Sequence, residues 1–458
     1  MTSQPFARHS PGLASWIRAE PALALLCVVV LAIPLEATRR YLPFGLLDAA
    51  RIGMIVGVAL AVWLVATRRS SLVAPRTLAL PVLAIVAVEA ISLVSTGWPS
   101  APKSFLATAS YAAFAAFVAQ AARTRSALTA LSVAFVVSGA LQAGITIAQS
   151  AFEFHLFPDY PAAWIERRSG TFWDPNLLAR MLVLTQTAGL GLLVGGWGSR
   201  RVRWALLGAM ALMAFGLVLT GSRTGWLLFA LVLVLWVPFT LRRAAGRSGL
   251  VVVAAAFALG FVLNPLAAER AGDIPQPGPP GVAAPGLPSE RTTTALDPLL
   301  DDLPIDGTRR YLARAAVAMF EDHPLSGVGL GGFQPMILGP YRAFGPGDGT
   351  GPFISLAHTD VLRVAAEEGL VGLLALGSLF AGVVVTARRA LRDAGDRVRM
   401  ALVVSTLGIG IVALASQTEG RFYSDPYLWL FVGVLAALTV RGDAEGRIDT
   451  ADAATARD

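Results

Sequence analysis

Runs of roughly 20 apolar residues, broken by arginine or by Pro/Gly, recur along most of this chain and leave it one fold class. A run of that length lets an α-helix cross the hydrocarbon core of a bilayer, and a helix satisfies its own backbone there. The runs fall at 21–37, 46–66, 77–96, 104–122, 127–151, 175–196, 203–220, 223–240, 248–265, 358–386, 398–417 and 426–440. They predict an all-α, polytopic transmembrane bundle of about 12 spans. Composition agrees: with 55% hydrophobic and 15% charged residues, a chain of 458 residues has too few charges to cover a soluble surface.

The net charge of +7 is carried by arginine, Lys103 being the sole lysine. With the N-terminus inside, arginine marks every cytoplasmic segment: Arg8/Arg18, Arg68/Arg69/Arg76, Arg123/Arg125, Arg200/Arg201/Arg203, Arg242/Arg243/Arg247, Arg388/Arg389/Arg392/Arg397 and Arg441/Arg447. This is the positive-inside pattern, and it predicts a multi-pass membrane protein with both termini in the cytoplasm. The charge therefore serves topology and anionic lipid, and no nucleic-acid partner is expected. The first apolar run has no small-residue cleavage signal before Arg39 and Arg40 and reads as a retained span. The single cysteine, Cys27, lies in that span, which excludes an intrachain disulfide and a cysteine metal site.

The chain divides into spans 1 to 9 (1–265), a long outer loop (266–357), three further spans (358–440) and a short polar tail (441–458). The Pro/Gly run from Asp273 to Pro288 reads as a spacer. Arg39/Arg40, Arg167/Arg168, Arg223 and Arg421 fall in outer turns, against the topological rule. Each either snorkels to a lipid headgroup or contributes to an anion site.

Several stretches have the makings of such a site. In Thr220-Gly221-Ser222-Arg223-Thr224-Gly225, Gly221 permits a tight turn and Ser222 can cap the following helix. A helix N-terminus beside a hydroxyl and a guanidinium suits a phosphate, and a capped turn with a snorkelling arginine is the alternative. In the loop, Thr308 to Asp322 reads as an amphipathic helix with Tyr311, Leu312, Ala315, Ala316, Met319 and Phe320 on its apolar face. Arg310 and Arg314 fall opposite, towards solvent, and Arg309 at the border is the better placed to meet a ligand. Ser326 to Phe333 then reads as a flexible glycine turn and not a dinucleotide site, since no strand precedes it. His358 opens the next span on a face of small residues, either as an interfacial anchor or as a general base. Asp360, Arg363 and Glu367 are spaced as a self-paired stripe stabilising that helix end.

Together these pieces resemble the O-antigen ligase/polymerase superfamily. The resemblance rests on Gly221 to Gly225, on Arg309 leading into His323-Pro324-Leu325-Ser326-Gly327-Val328-Gly329, and on Ala357-His358-Thr359 with Glu368-Gly369-Leu370-Val371-Gly372. Ser169-Gly170-Thr171-Phe172 with Pro175-Asn176 is also similar to the family, and Thr359 departs from the Asn, Ser or Gln usual after the histidine in ligases. The resemblance implies an inverting, metal-independent glycosyltransferase with no cofactor. Its donor would be a glycan on undecaprenyl diphosphate, and its acceptor a hydroxyl of lipid A core or of another glycan. It implies His358 as the catalytic residue and Arg223 and Arg309, with Ser222 beside them, as the diphosphate contacts. Arg168, Arg310 and Arg421 are secondary candidates. A repeat-unit polymerase of the same superfamily is the nearest alternative, and a small-anion or sugar transporter the more distant one.

Overall fold

The computed structural model describes residues 17, 20–41, 48–67, 74–157, 166–241, 243–264, 294–302, 307–344, 357, 359–392, 394–420 and 422–439. In chain order the helices are α1 (Pro21–Ala32), α2 (Ala49–Ala66), α3 (Arg76–Thr96), α4 (Ala101–Ala121), α5 (Arg125–Phe152), α6 (Pro175–Val194), α7 (Arg200–Leu219), α8 (Arg223–Thr240) and α9 (Ala244–Leu263). Then come α10 (Asp297–Asp302), α11 (Gly307–Asp322), α12 (Phe333–Leu338), α13 (Asp360–Arg392), α14 (Asp396–Glu419) and α15 (Pro426–Thr439). No strand occurs among the described residues. Among the described residues ten helices, α2 to α9 with α13 and α14, are long and apolar enough to cross a membrane, and α1 and α15 are shorter apolar helices. These correspond to the apolar runs read from the sequence. The spacer Asp273 to Pro288 and the tail 441–458 lie outside the described residues.

Local chemistry sets many of the helix starts. Asp48, Thr124, Asp174, Ser199 and Ser222 each accept a hydrogen bond from a backbone N–H in the first turn of the helix they precede, which satisfies a donor that the helix itself leaves open. The bundle is organised around α6, whose membrane-length window is wholly buried and which touches α5, α7, α8, α9 and α14. Small residues admit these neighbours: Gly189 faces Met210 and Gly191 faces Val404. Outer helices carry the opposite signature, with Val94, Leu227 and Val262 exposed, as befits side chains that meet lipid.

A second, smaller core lies beside the bundle. Leu312, Ala315, Ala316 and Met319 of α11 pack with Val328, Phe333, Ile337, Tyr341, Phe344, Ala357 and Ala366. This is the expected apolar face of α11, but the helix is covered more widely than one face. Ala313, Val317 and Ala318 are buried too, and α10 lies against α11. Arg310 is consequently buried, and Arg314 pairs through Nε with Asp297 Oδ1 at 3.2 Å, so neither is solvated as the helical wheel predicts.

The glycine turn differs from expectation as well: it is clamped, not flexible. Val328 and Gly329 donate their N–H groups to Ala366 and Glu367 carbonyls at 2.8 and 2.9 Å, while Leu370 and Val371 donate back to Pro324 and Leu325 at 2.8 and 3.2 Å. These bonds need a break in α13, and Gly369 supplies it with φ 64° and ψ −154°. From the other side, Trp98 Nε1 donates to Val328 O at 2.8 Å, Ser100 Oγ to Gly331 O at 2.7 Å, and Leu330 N to Ser92 Oγ at 2.7 Å. The turn is a wedge between the α3–α4 connection and α13.

Candidate functional site

Two connecting segments meet at the N-terminal end of α6. Residues 166–174 are held by side-chain amides of α5: Gln149 both donates to Gly170 O at 2.9 Å and accepts from Gly170 N at 2.8 Å, and Gln142 accepts from Thr171 N at 3.1 Å. Gly170 has φ 59°, a left-handed geometry that leaves no space for a Cβ beside Gln142. Arg167 then bridges to the neighbouring turn, donating through Nε to Thr220 O at 2.9 Å and through Nη2 to Asn176 Oδ1 at 2.6 Å. Arg168 donates its N–H to Leu219 O at 3.1 Å, and its Nη1 lies 3.1 Å from His155 Nε2. The Thr220–Gly225 turn and the Arg167/Arg168 segment are therefore one assembly. Within it Gly221 has φ 60°. Ser222 is buried with Oγ accepting from Gly225 N–H at 3.2 Å, and half-buried Arg223 opens α8.

Beside this assembly the bundle encloses a polar cavity of about 510 Å³. Its lining includes Glu36, Asp48 and Arg51 from the α1–α2 region, Glu89 of α3, Lys103, Ser104, Thr108 and Tyr111 of α4, and Arg180 of α6. Gly331 and Gln334 of the wedge, Arg363 and Glu367 of α13, and Tyr423 to Tyr427 complete the wall. Its charges are paired both within and between elements. Arg180 Nη2 lies 2.8 Å from Asp425 Oδ2, both side chains being almost fully buried. Arg363 reaches Asp360 and Glu367 at 3.1 Å each, and its guanidinium lies over the Tyr423 ring at 5.6 Å. Glu367 also accepts from Phe333 N–H at 3.1 Å, and Asp360 from Phe422 N–H at 2.6 Å. The stripe read as a local helix-end pairing thus also fixes the wedge and the α14–α15 connection. Burial, reinforced by the Glu368 carboxylate, raises the Tyr423 phenol well above its ordinary value, so it stays a neutral hydroxyl.

Among the sequence candidates, Ser222, Arg223 and Arg168 fall together in the turn assembly, while exposed Arg309 and buried Arg310 lie on α11. None of these five lines the cavity. His358 and Arg421 lie outside the described residues. The segments flanking them are joined: Thr359 Oγ1 donates to Gln417 O at 3.1 Å, Val361 N to Gln417 Oε1 at 3.4 Å, and Phe422 N to Asp360. Gly420 lines the cavity, and Ala357 is buried in the small core.

Sequence reasoning missed Arg51, Arg180 and Asp425. The signal was present, because an arginine inside an apolar run is costly in hydrocarbon and marks a polar interior. Arg180 sits within the run 175–196 and Arg51 within 46–66. No curated protein matches this chain. Residues 208–377 match the family described as O-Antigen ligase, a stretch running from α7 past the Arg223 turn, α11 and the wedge into α13. The match over this stretch supports the resemblance to the O-antigen ligase/polymerase superfamily, whose members are glycosyltransferase-like membrane enzymes.

Proposed function

We propose that the protein transfers a glycan from an undecaprenyl-diphosphate carrier to a hydroxyl of lipid A core or of another glycan, at the outer face of the inner membrane. The observation that carries this reading is the polar cavity of about 510 Å³, built at one end of membrane-length helices and walled partly by the wedge of the family-matched segment. Its size falls in the roughly 300–1,000 Å³ range of small-molecule sites. Every lining helix contributes from the same end of the bundle. That one-sidedness favours an enzyme over a transporter, which needs a path to both faces.

In this reading Arg223 and Arg309 hold the diphosphate, Arg168, Arg310 and Arg421 add positive charge around it, and Ser222 acts through the cap that fixes Arg223. A departing diphosphate develops negative charge, and guanidinium forks neutralise it without a metal. His358 accepts the proton of the attacking hydroxyl, or orients that hydroxyl, as the bond from the anomeric carbon to the phosphate oxygen breaks. Inversion follows from a single in-line displacement.

Expression of Arg223→Ala and Arg309→Ala in a strain lacking its own enzyme tests the diphosphate roles, with surface polysaccharide read on gels and membrane protein level read in parallel. Each substitution is expected to lower product about 100-fold or more at unchanged protein level. Wild-type glycan from both would exclude these roles. Loss of product with Arg310→Ala but not with Arg309→Ala would move the contact to the neighbouring residue. The same strain separates the two branches: core capped with one repeat unit identifies a missing polymerase, and full-length polymer left on the carrier identifies a missing ligase.

A further inference from the structure

We infer that the cavity is a saccharide chamber, which receives the hydroxyl-bearing glycan and not the diphosphate; this rests on the glycan-transfer reading and adds a division of labour to it. The argument is electrostatic first. Arginines of the wall already face carboxylates: Arg180 meets Asp425 at 2.8 Å, Arg363 meets Asp360 and Glu367 at 3.1 Å, and Arg51 meets Asp48 at 3.7 Å. Glu36 adds one more carboxylate, against the single ammonium of Lys103. Among the described lining residues there is thus no excess of positive charge, and a diphosphate entering between them would be desolvated without compensation.

A sugar has the opposite needs: hydrogen-bond donors and acceptors in alternation, and flat apolar surface for its C–H faces. Tyr111, Phe172, Tyr423 and Tyr427 supply the aromatic surface. Lys103, Ser104 and Gln334 also line the cavity, and their side chains make no hydrogen bond or ion pair with another described residue. Gln334 is exposed on the wedge and Lys103 on the first turn of α4, so both can turn towards a guest. The positive charge without a place in this wall, Arg223, Arg168 and Arg309, lies outside it, where the proposed diphosphate would sit.

The test uses the purified full chain in nanodiscs, with Cys27→Ala and Ser104→Cys giving one thiol in the chamber wall. Maleimide labelling of that thiol is timed with no addition, with oligosaccharide released by mild acid from the host's own surface polysaccharide, and with inorganic pyrophosphate. The chamber predicts that oligosaccharide slows labelling in a saturable way and pyrophosphate does not. Adding Gln334→Ala is expected to raise the half-protecting oligosaccharide concentration about fivefold, the loss of one hydrogen bond. Protection by pyrophosphate alone, or by neither, overturns the chamber. Glycan transfer measured on the wild-type chain in the same nanodiscs keeps the two failures apart: transfer without protection refutes only the chamber, and absence of transfer refutes the enzyme reading beneath it.

Discussion

Replacing Gly327 by alanine is expected to unseat the wedge and remove activity together with most of the folded protein, and Gly369→Ala is expected to do the same. A Cβ on Gly327 would stand 2.3 Å from the Glu367 carbonyl carbon and 2.5 Å from Ala366 O, while φ is +65°. A Cβ on Gly369 would stand 2.5 Å from Leu325 C and O, at a φ and ψ that essentially only glycine adopts. The obstructing atoms are backbone, so no rotamer change relieves either clash. Backbone strain of about 1–3 kcal/mol and the loss of inter-segment hydrogen bonds at about 1 kcal/mol each bring the expected cost to roughly 5 kcal/mol. Gly377→Ala is the control, since nothing lies within 4 Å of its missing Cβ. Membrane protein recovered by size-exclusion chromatography should stay at the wild-type level for Gly377→Ala and collapse for the other two. Normal recovery of Gly327→Ala would mean that the wedge is not a fixed element.

Arg180→Ala is expected to cost about 3–5 kcal/mol, because it takes from the buried Asp425 carboxylate the guanidinium that lies 2.8 Å from it. The pair joins α6, the bundle's centre, to the connection before α15, so the loss loosens one wall of the cavity. Arg180→Gln combined with Asp425→Asn removes both charges and keeps an oxygen that can accept from Tyr427 N–H, as Asp425 does at 2.7 Å. The double variant should recover most of the thermal midpoint lost by Arg180→Ala. A double variant as unstable as the single one would show that the stability rests on charge attraction and not on avoidance of an isolated charge.

The bundle was legible because the constraint is one-dimensional: backbone in hydrocarbon must be helical, so apolar length alone counts the spans. The Ser222 cap and the Gly221 turn were legible for a similar reason, each being decided within a few residues. Pairings between distant elements were not. Nothing local in Ser326 to Phe333 announces that its carbonyls and N–H groups bond residues near 98 and 367, so clamped and flexible glycine turns read alike. Arg310 was misplaced because a helical wheel assumes one buried face, and α11 is covered by α10 as well as by the small core. Arg180 and Asp425 lie far apart in the chain, and only their burial in contact reveals a pair. The family resemblance pointed to the arginines and the histidine, but gave no hint of the cavity's paired charges.

Glycan transfer is proposed to depend on His358. Its most direct measurement uses the purified chain in liposomes, supplied with an undecaprenyl-diphosphate-linked glycan and a hydroxyl acceptor, with product and released undecaprenyl diphosphate followed together. Equal amounts of both are expected from the wild type, and a rate about 10²–10⁴-fold lower from His358→Ala of unchanged thermal stability. A wild type that releases neither, or a His358→Ala variant that transfers at the wild-type rate, would contradict it.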